Sequence, residues 1–151
     1  MALYAEKELR RQGAERTSFD TLAAGAKRSY AIHAFPGYTD GTWGVENADG
    51  SGSLSLLDYG VCFNGYASDC TITVARGKLS AEQEKQINLV QKAFDECLKL
   101  YAPGKSILSA AQRACDIFAT EQRTLNHGLG HGTGLEIHEA PFISMRAKPE
   151  S

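Results

Sequence analysis

Asn64-Gly65 is the feature that most constrains this fold, because it stands between two extended apolar segments in the run SLSLLDYGVCFNGYASDCTITVARG, residues 53–77. An Asn-Gly pair favours the left-handed backbone of a two-residue β-turn, whose twist matches that of the strands it joins. The run therefore predicts a β-hairpin. Since side chains of a strand alternate between its two faces, the position of the turn also decides which residues of the two strands lie together.

Asp58 and Asp69 are the two carboxylates of this predicted hairpin. With the turn centred on Asn64-Gly65, Asp58 faces Thr71 and Asp69 is its diagonal neighbour. With the turn half a step earlier, the two aspartates face each other. Either register places both on one face, about 5 to 8 Å apart, where like charges repel unless one is protonated or a cation lies between them. The hairpin alone allows two interpretations: a metal site, or aspartates that face solvent or cap backbone amides.

Local patterns predict the elements around the hairpin. Apolar residues at helical spacing, the capping box of Ser80 and Gln83, and the break at Pro103-Gly104 indicate helices. In chain order, the predicted elements are a helix over 2–12, extended segments over 19–24 and 30–35, a long loop over 37–53, the hairpin, helices over 80–101 and 106–121, and a glycine-rich extended segment. Strands first and helices next indicate the α+β class.

Each of the two long predicted helices carries an apolar stripe, the face that a helix packs on its neighbours. The stripe of the helix over 80–101 consists of Ile87, Val90, Phe94, Cys97, Leu98 and Tyr101. The stripe of the helix over 106–121 consists of Ile107, Ala110, Ala111, Ala114, Ile117 and Phe118.

Charge and hydropathy exclude several classes of protein. A formal net charge of -2, with no Lys/Arg stripe, makes nucleic acid an unsuitable partner. No apolar run approaches the roughly 20 residues of a membrane-spanning helix, and the start MALYAEKELRRQG is too charged for a secretory signal. The sequence thus predicts a cytoplasmic protein without a membrane segment, and its 151 residues suit one domain.

The four cysteines, Cys62, Cys70, Cys97 and Cys115, lack CxxC spacing and lie in apolar patterns. In that setting a cysteine behaves as a small buried hydrophobic residue. We therefore interpret all four as reduced core thiols rather than metal ligands or disulfide partners.

Three of the four histidines lie in the run NHGLGHGTGLEIHEAP, residues 126–141. His127 and His131 have the HxxxH spacing of helical zinc sites, but each of the four glycines among them costs a helix about 1 kcal/mol relative to Ala. The run is therefore predicted to be extended, with His127 and His131 on one face and the glycines on the other, where another backbone can approach. His138 has the opposite parity, so it needs a bend or bulge, which Gly134 could supply, to join the same pocket.

These two segments resemble a known family. LLDYGVCFNGYASDCT resembles the metal-binding hairpin of the M24 metallopeptidases, the pita-bread enzymes, and HGLGHGTGLEIHEAP resembles their histidine signature. The resemblance implies an α+β, pita-bread catalytic domain in which Asp58, Asp69 and His131 are metal ligands. It implies that His138 is catalytic, hydrogen-bonding the scissile peptide and stabilising the tetrahedral intermediate. His33, in YAIHAFPG, matches a second histidine that contacts substrate or assists proton movement.

His127 indicates the branch of the family, because a histidine four residues before the ligand is typical of aminopeptidase P and prolidase. SFDTLAAGAKRSYAIHAFP also resembles the Xaa-Pro enzymes, in which His127 is implied to contact substrate. The implied reaction is hydrolysis, by a metal-bridged hydroxide, of a peptide bond near the N-terminus of a peptide with proline at its second position. Two alternatives stay open: a methionine aminopeptidase and a non-catalytic M24-like binding module.

The implied cofactor is a pair of divalent ions. A carboxylate-dominated ligand set favours Mn²⁺, with Co²⁺ or Zn²⁺ as alternatives. The sequence leaves the oligomeric state open, and a homodimer is one option.

The family's site has two further glutamates, each on its own later strand. After His131 the acidic residues are Glu136, Glu139 and Glu150, none of which stands in the family's E-P-G context. Residues 1–151 are therefore interpreted as a partial catalytic domain, incomplete and covering the first half plus the start of the second half. This chain alone is expected to have little or no peptidase activity. Ile72 also stands where the Xaa-Pro enzymes usually have arginine.

Overall fold

The structure, a computed structural model, describes residues 1–33 and 43–147. Helices and short antiparallel strands make up this part of the chain, so the predicted α+β class is confirmed. In chain order the elements are α1 (Ala2–Arg11), β1 (Arg16–Thr17), β2 (Leu22–Ala24), β3 (Ser53–Tyr59), β4 (Val61–Phe63), β5 (Tyr66–Ala67), β6 (Cys70–Arg76), α2 (Ala81–Leu98), α3 (Ile107–Ala119), β7 (Gly130–Gly132) and β8 (Glu139–Ile143).

The chain divides into two compact units. The first unit comprises Met1–Ser80 and Thr133–Ile137, and the second comprises Ala81–Gly132 and His138–Ser151. Strands β1 to β6 and helix α1 belong to the first unit, while α2, α3, β7 and β8 belong to the second.

The hairpin of the first unit forms as its turn predicts. β3 and β6 pair antiparallel with Asp58 opposite Thr71, and β4 pairs with β5 at the tip. Asn64 and Gly65 occupy the turn with φ of 49° and 81°, the left-handed values that a turn of this kind requires. The register centred on Asn64-Gly65 is therefore confirmed.

The two long arms of the hairpin contribute to two sheets that meet at Gly60. β2, β3 and β6 form one sheet in that order, and β1, β4 and β5 form the other. Gly60 lies between β3 and β4, where a Cβ atom would stand 1.9 Å from the Ser68 carbonyl oxygen and 2.2 Å from Ser18 Oγ. Only glycine fits this crossing from one sheet to the next.

The segment before β3 is tied to that strand by side-chain hydrogen bonds. The Trp43 indole donates to the Leu56 carbonyl at 2.8 Å, and the Gly44 amide donates to Ser55 Oγ at 2.9 Å. Ser53 Oγ donates to the Val45 carbonyl. The buried serines of β3 thus bind irregular backbone, and the predicted loop is confirmed over 43–52.

The prediction of an extended segment over 30–35 is wrong for residues 30–33, the part that the structure describes. Residues 26–33 form successive turns, with the Arg28 amide donating to the Gly25 carbonyl at 2.9 Å and the Ala31 amide to the Arg28 carbonyl at 3.0 Å. These local bonds take up the backbone groups that a strand would pair. Residues 34 and 35 lie outside the described residues. The other early segment, 19–24, is a strand only over Leu22–Ala24.

Helices α2 and α3 pack on each other in the second unit. Leu89 and Ala93 of α2 contact Ile117 of α3 in one buried cluster, and Cys97 contacts Ala110 in a second. The ion pair of Glu96 with Arg113 joins α2 to α3, and those of Lys85 with Glu121 and Glu82 with Arg123 join α2 to the segment that follows α3. Of the helices described, none is long and apolar enough to cross a membrane.

The apolar stripe predicted for α2 is largely exposed. Cys97 is buried, but Phe94 is 61 % and Val90 is 56 % exposed, and Ile87, Leu98 and Tyr101 are exposed as well. The face of α2 that packs on α3 consists of Leu89, Ala93 and Cys97. The buried alanines of α3 let the two helix backbones approach closely at this face. The stripe predicted for α3 is confirmed, since Ala110, Ala111, Ala114 and Ile117 are all buried.

The prediction that all four cysteines are buried is confirmed for two of them. All four are free, Cys62 and Cys97 are buried, Cys115 is half-buried and Cys70 is exposed. Burial raises the pKa of the Cys97 thiol. The prediction is wrong for Cys70, because β6 lies at the edge of its sheet and is exposed along most of its length.

Candidate metal and substrate site

Asp58 occupies a strand position in the middle of the sheet of β2, β3 and β6. It is half-buried, between Leu22 on β2 and Thr71 on β6. Thr71 Oγ1 donates a hydrogen bond of 2.8 Å to Asp58 Oδ1, which fixes the orientation of the carboxylate. The register in which Asp58 and Asp69 face each other directly is excluded.

Asp69 stands immediately before β6, two residues before Thr71, and is exposed. Thr71 lies opposite Asp58 on the same side of the sheet, and on an extended chain a residue two positions earlier shares that face. The diagonal relation that the sequence predicts for the two aspartates follows from the confirmed register.

The histidine run forms a bent hairpin in place of a continuous extended segment. The prediction of extended backbone is confirmed at β7, Gly130–Gly132, and the chain then bends over 134–138 and returns as β8. The pairing shifts between His131 and Gly132, with His131 opposite Phe142 and Gly132 opposite Glu139. The sequence predicts a bend or bulge before His138, and the structure contains both.

The bend brings His131 and His138 together. Their ring centroids lie 4.3 Å apart with the planes at 48°. His131 is half-buried and its Nδ1 lies 3.0 Å from the Gly132 carbonyl oxygen. Because a carbonyl can only accept, this contact places the ring proton on Nδ1, and the lone pair of a neutral imidazole is then on Nε2. Nε2 is accordingly the atom of His131 that can bind a cation.

His127 and His33 lie in other surroundings. His127 precedes β7 and is exposed, with Nδ1 2.7 Å from the Gly128 carbonyl oxygen. His33 is exposed at the end of the turns over 26–33, in the first unit.

The glycines of the run differ in how strictly they are needed. A Cβ at Gly132 would lie 2.5 Å from the Ala140 carbonyl oxygen, whereas one at Gly130 would lie 3.8 Å from the nearest atom, Ile143 Cδ1. The sequence predicts that the glycine face admits another backbone. The approach of β8 confirms this at Gly132.

The predicted site residues divide between the two units. Asp58, Asp69 and His33 belong to the first unit, while His127, His131 and His138 belong to the second. Over residues 1–33 and 43–147 there is no group of three or more His, Cys, Asp or Glu side chains that could hold a metal ion. The pairs that the structure does bring together are His131 with His138, and Asp58 with Thr71.

The chemistry of the proposed ligands nevertheless suits a divalent metal. Carboxylate oxygens and a neutral imidazole are ligands that Mn²⁺, Co²⁺ and Zn²⁺ accept. The Asp58 carboxylate is held by Thr71 and the His131 tautomer by a backbone carbonyl, which are the outer hydrogen bonds that commonly orient metal ligands.

Sequence reasoning missed two residues that support the site. It placed Thr71 opposite Asp58 without giving it a role, although a hydroxyl beside a carboxylate is a direct signal for a hydrogen bond. It also gave no role to Trp43, whose indole hydrogen bond holds β3 two residues before Asp58. A lone tryptophan in a glycine-rich loop was the available signal.

Comparison with known proteins extends over nearly the whole chain. Residues 1–150 match the model of metallopeptidase family M24. The chain is 31% identical over 147 residues to an Xaa-Pro dipeptidase of Pyrococcus horikoshii, covering 96% of this chain and 40% of the relative.

Solved structures give the same result. The X-Pro aminopeptidase from Thermotoga maritima matches with a TM-score of 0.86 and 29% identity, over 99% of this chain and 40% of that one. The prolidase from Pyrococcus furiosus matches with a TM-score of 0.87 and 30% identity, over 97% of this chain and 42% of that one. The chain thus spans about two fifths of the length of the relatives it matches.

The predicted pita-bread fold is confirmed by these structural matches. Because the family model covers all but the last residue, the family itself is not in doubt. The chain belongs to metallopeptidase family M24.

Proposed function

We propose that this chain supplies Asp58, Asp69 and His131 as ligands of a divalent-metal site in a peptidase that cleaves Xaa-Pro bonds. The observation that carries the proposal is the Asp58–Thr71 register of the β3–β6 hairpin. With Asp58 opposite Thr71, the two-residue alternation of an extended chain supports the assignment of Asp69 to the same face, on the segment that resembles the metal-binding hairpin of family M24. Family membership supports a metallopeptidase, and an Xaa-Pro dipeptidase among the relatives supports the substrate class.

Hydrogen bonds orient two of the three proposed ligands, Asp58 and His131. Thr71 donates to Oδ1 of Asp58, which leaves Oδ2 as the oxygen best able to bind a cation. The Gly132 carbonyl holds His131 with its proton on Nδ1 and its lone pair on Nε2. Asp69 is exposed and lies immediately before β6.

A divalent ion supplies a Lewis acid that polarises the scissile carbonyl and makes hydroxide available near neutral pH. His138 is the residue that we assign to the substrate. Its ring lies against that of His131, at a centroid distance of 4.3 Å, so a peptide on a metal held by His131 would also meet the imidazole of His138. His138 then donates a hydrogen bond to the oxygen on which negative charge develops.

The remaining histidines are assigned to the peptide itself. His127 is exposed four residues before His131, and His33 is exposed in the first unit. An exposed imidazole can donate to a peptide carbonyl or carboxylate. We assign a peptide-binding role to His127 and to His33, and His33 also assists proton movement.

Mn²⁺ is the proposed metal, with Co²⁺ or Zn²⁺ as substitutes, because two of the three ligands are carboxylates. Three ligands hold one ion and leave a second ion with most of its shell unfilled. We therefore propose that the 151-residue chain binds one ion and has low turnover on its own.

The test is the metal-dependent binding of a dipeptide. Isothermal titration with Ala-Pro is expected to detect binding in the presence of Mn²⁺ and to detect none after chelation. The His138→Gln variant should bind the metal as before and the dipeptide more weakly. Equal binding of Met-Ala would favour the methionine aminopeptidase, and Ala-Pro binding that is indifferent to Mn²⁺ would favour a non-catalytic binding module.

Turnover provides a separate test of the claim about low activity. Cleavage of Ala-Pro by this chain should be far slower than cleavage by a full-length Xaa-Pro dipeptidase assayed under the same conditions. A rate comparable to that of the full-length enzyme, abolished by Asp69→Ala, would overturn the claim that three ligands are insufficient.

A further inference from the structure

Strand β3, which carries Asp58, is paired unequally by its two neighbours. β6 pairs with all seven of its residues, Ser53–Tyr59, whereas β2 pairs with Leu56–Asp58 alone. β2 ends at Ala24 because the chain turns at Gly25, whose carbonyl accepts two local backbone hydrogen bonds. Among the residues described, the first half of β3 therefore has a strand on one side of it.

The segment 43–45 is hydrogen-bonded to this first half of β3. Trp43 bonds to Leu56, while residues 44 and 45 bond to the hydroxyls of Ser55 and Ser53, so the segment runs antiparallel to the strand. Ser53 and Ser55 are 2 % and 1 % exposed. Because a buried hydroxyl that loses its partner carries a desolvation cost, these bonds hold the segment and the strand together.

Trp43 makes its bond at the point where β2 ends. Its indole N–H donates to the Leu56 carbonyl at 2.8 Å, and Leu56 is the residue opposite Ala24, the last residue of β2. Leu56 also stands two residues before Asp58, so a displacement of its peptide reaches Asp58 through a single intervening residue. Metal ligands have to be held within about 0.5 Å of their working positions, so a displacement of that size would be felt by an ion.

From these contacts we propose that Trp43 is a positioning residue for Asp58. The indole hydrogen bond fixes β3 at Leu56, and through the strand it fixes the place of the Asp58 carboxylate. Trp43 acts through the backbone and is not itself a ligand. The inference rests on the proposed metal site for its effect on metal affinity, but the effect on Asp58 precedes any ion.

Two substitutions of Trp43 separate its hydrogen bond from its bulk. Trp43→Phe keeps a large apolar ring and removes the donor. Trp43→His removes the larger ring but keeps a five-membered ring whose Nε2 stands at the position of the indole nitrogen and can donate. Asn47→Ala is the matched control, because Asn47 lies in the same loop and its side chain donates to Ser51 and Gly52, which precede β3.

Mn²⁺ uptake by the folded chain, measured by electron paramagnetic resonance, is the first readout. Trp43→Phe should weaken binding about fivefold, the equivalent of one net hydrogen bond. Trp43→His should recover most of this loss, and Asn47→Ala should bind like the original chain. A purely structural role for the ring would give the reverse order, with the phenylalanine variant close to the original and the histidine variant impaired.

The ¹³C resonance of the Asp58 carboxyl group in the metal-free chain is the second readout, and it does not depend on the proposed function. Trp43→Phe should shift this resonance, whereas Trp43→His and Asn47→Ala should leave it near its original position. If the original chain takes up no Mn²⁺, the proposed metal site fails and the carboxyl resonance alone decides the role of Trp43. An Asp58 resonance that Trp43→Phe leaves unchanged, or that Asn47→Ala shifts equally, would overturn the proposal, as would the reverse order of the two Trp43 variants.

Discussion

Replacement of Gly132 by alanine should disrupt the β7–β8 hairpin that brings His131 and His138 together. A Cβ at this position would lie 2.5 Å from the Ala140 carbonyl oxygen and 2.9 Å from that of Glu139. Because an ordinary carbon–oxygen contact begins at about 3.3 Å, β8 would have to retreat by about 0.8 Å. Both neighbours are backbone atoms, so no side-chain rotation can relieve the contact.

Gly130, in the same strand as Gly132, provides the control for the loss of stability that this substitution causes. Overpacking of this kind costs typically 1–3 kcal/mol, so we expect Gly132→Ala to lower the free energy of unfolding by about 2 kcal/mol. For a chain of this size that corresponds to about 4 to 8 °C in Tm. A Cβ at Gly130 meets its nearest atom at 3.8 Å, so Gly130→Ala should stay within about 0.5 kcal/mol of the original protein.

Two measurements test the comparison. Thermal unfolding followed by circular dichroism gives the difference in Tm between the two variants. Nuclear Overhauser contacts between the rings of His131 and His138, which lie 4.3 Å apart, report whether the hairpin keeps its geometry. If Gly132→Ala unfolds at the same temperature as Gly130→Ala and retains the ring contacts, the assigned approach of β8 to Gly132 is incorrect.

Three further predictions concern other parts of the chain. Thr71→Val removes the hydrogen bond to the half-buried Asp58 carboxylate and should cost about 1 kcal/mol in urea unfolding followed by the single tryptophan; Thr71→Ser should recover most of it, and equal losses would argue against the bond. The exposed Cys70 should react with a thiol reagent first in the folded protein, leaving the buried thiols unreacted until unfolding, and Cys70→Ser should abolish the fast phase. Hydrogen bonds from Lys99 and then from Arg113 lower the pKa of Glu96, so its ion pairs stabilise the fold above the ordinary glutamate pKa of about 4.3, and this contribution is lost as pH falls through the lowered pKa. The Tm advantage over Glu96→Gln should therefore disappear at low pH, and an advantage that persists there would contradict this assignment.

The sequence predicted best where local backbone chemistry decides the structure. Asn64-Gly65 determined the register of the hairpin, and hence that Asp58 faces Thr71, because few residues tolerate left-handed backbone at both turn positions. Capping residues and apolar residues at helical spacing likewise predicted the helices. The glycines of the histidine run predicted close backbone approach, which occurs at Gly132.

The sequence predicted less well where tertiary packing determines which face of a helix or strand is buried. The largest apolar residues of α2 suggested one buried face, but the alanine face of α3 accepts Leu89 and Ala93 and leaves Phe94 exposed. The exposure of Cys70 was missed because an edge strand and a central strand have the same local pattern. The turns before His33 were missed because their backbone hydrogen bonds begin at Gly25, ahead of the apolar residues that suggested a strand.

Manganese binding by the intact chain is the most direct test of the central claim that Asp58, Asp69 and His131 are metal ligands. Electron paramagnetic resonance of free Mn²⁺ during titration counts the ions taken up per chain. We predict one ion, with binding weakened at least tenfold by Asp69→Asn or His131→Gln and retained by His127→Gln, which removes a neighbouring imidazole that is not assigned as a ligand. Absence of uptake by the original chain, or uptake that Asp69→Asn and His131→Gln leave unchanged, would contradict the account.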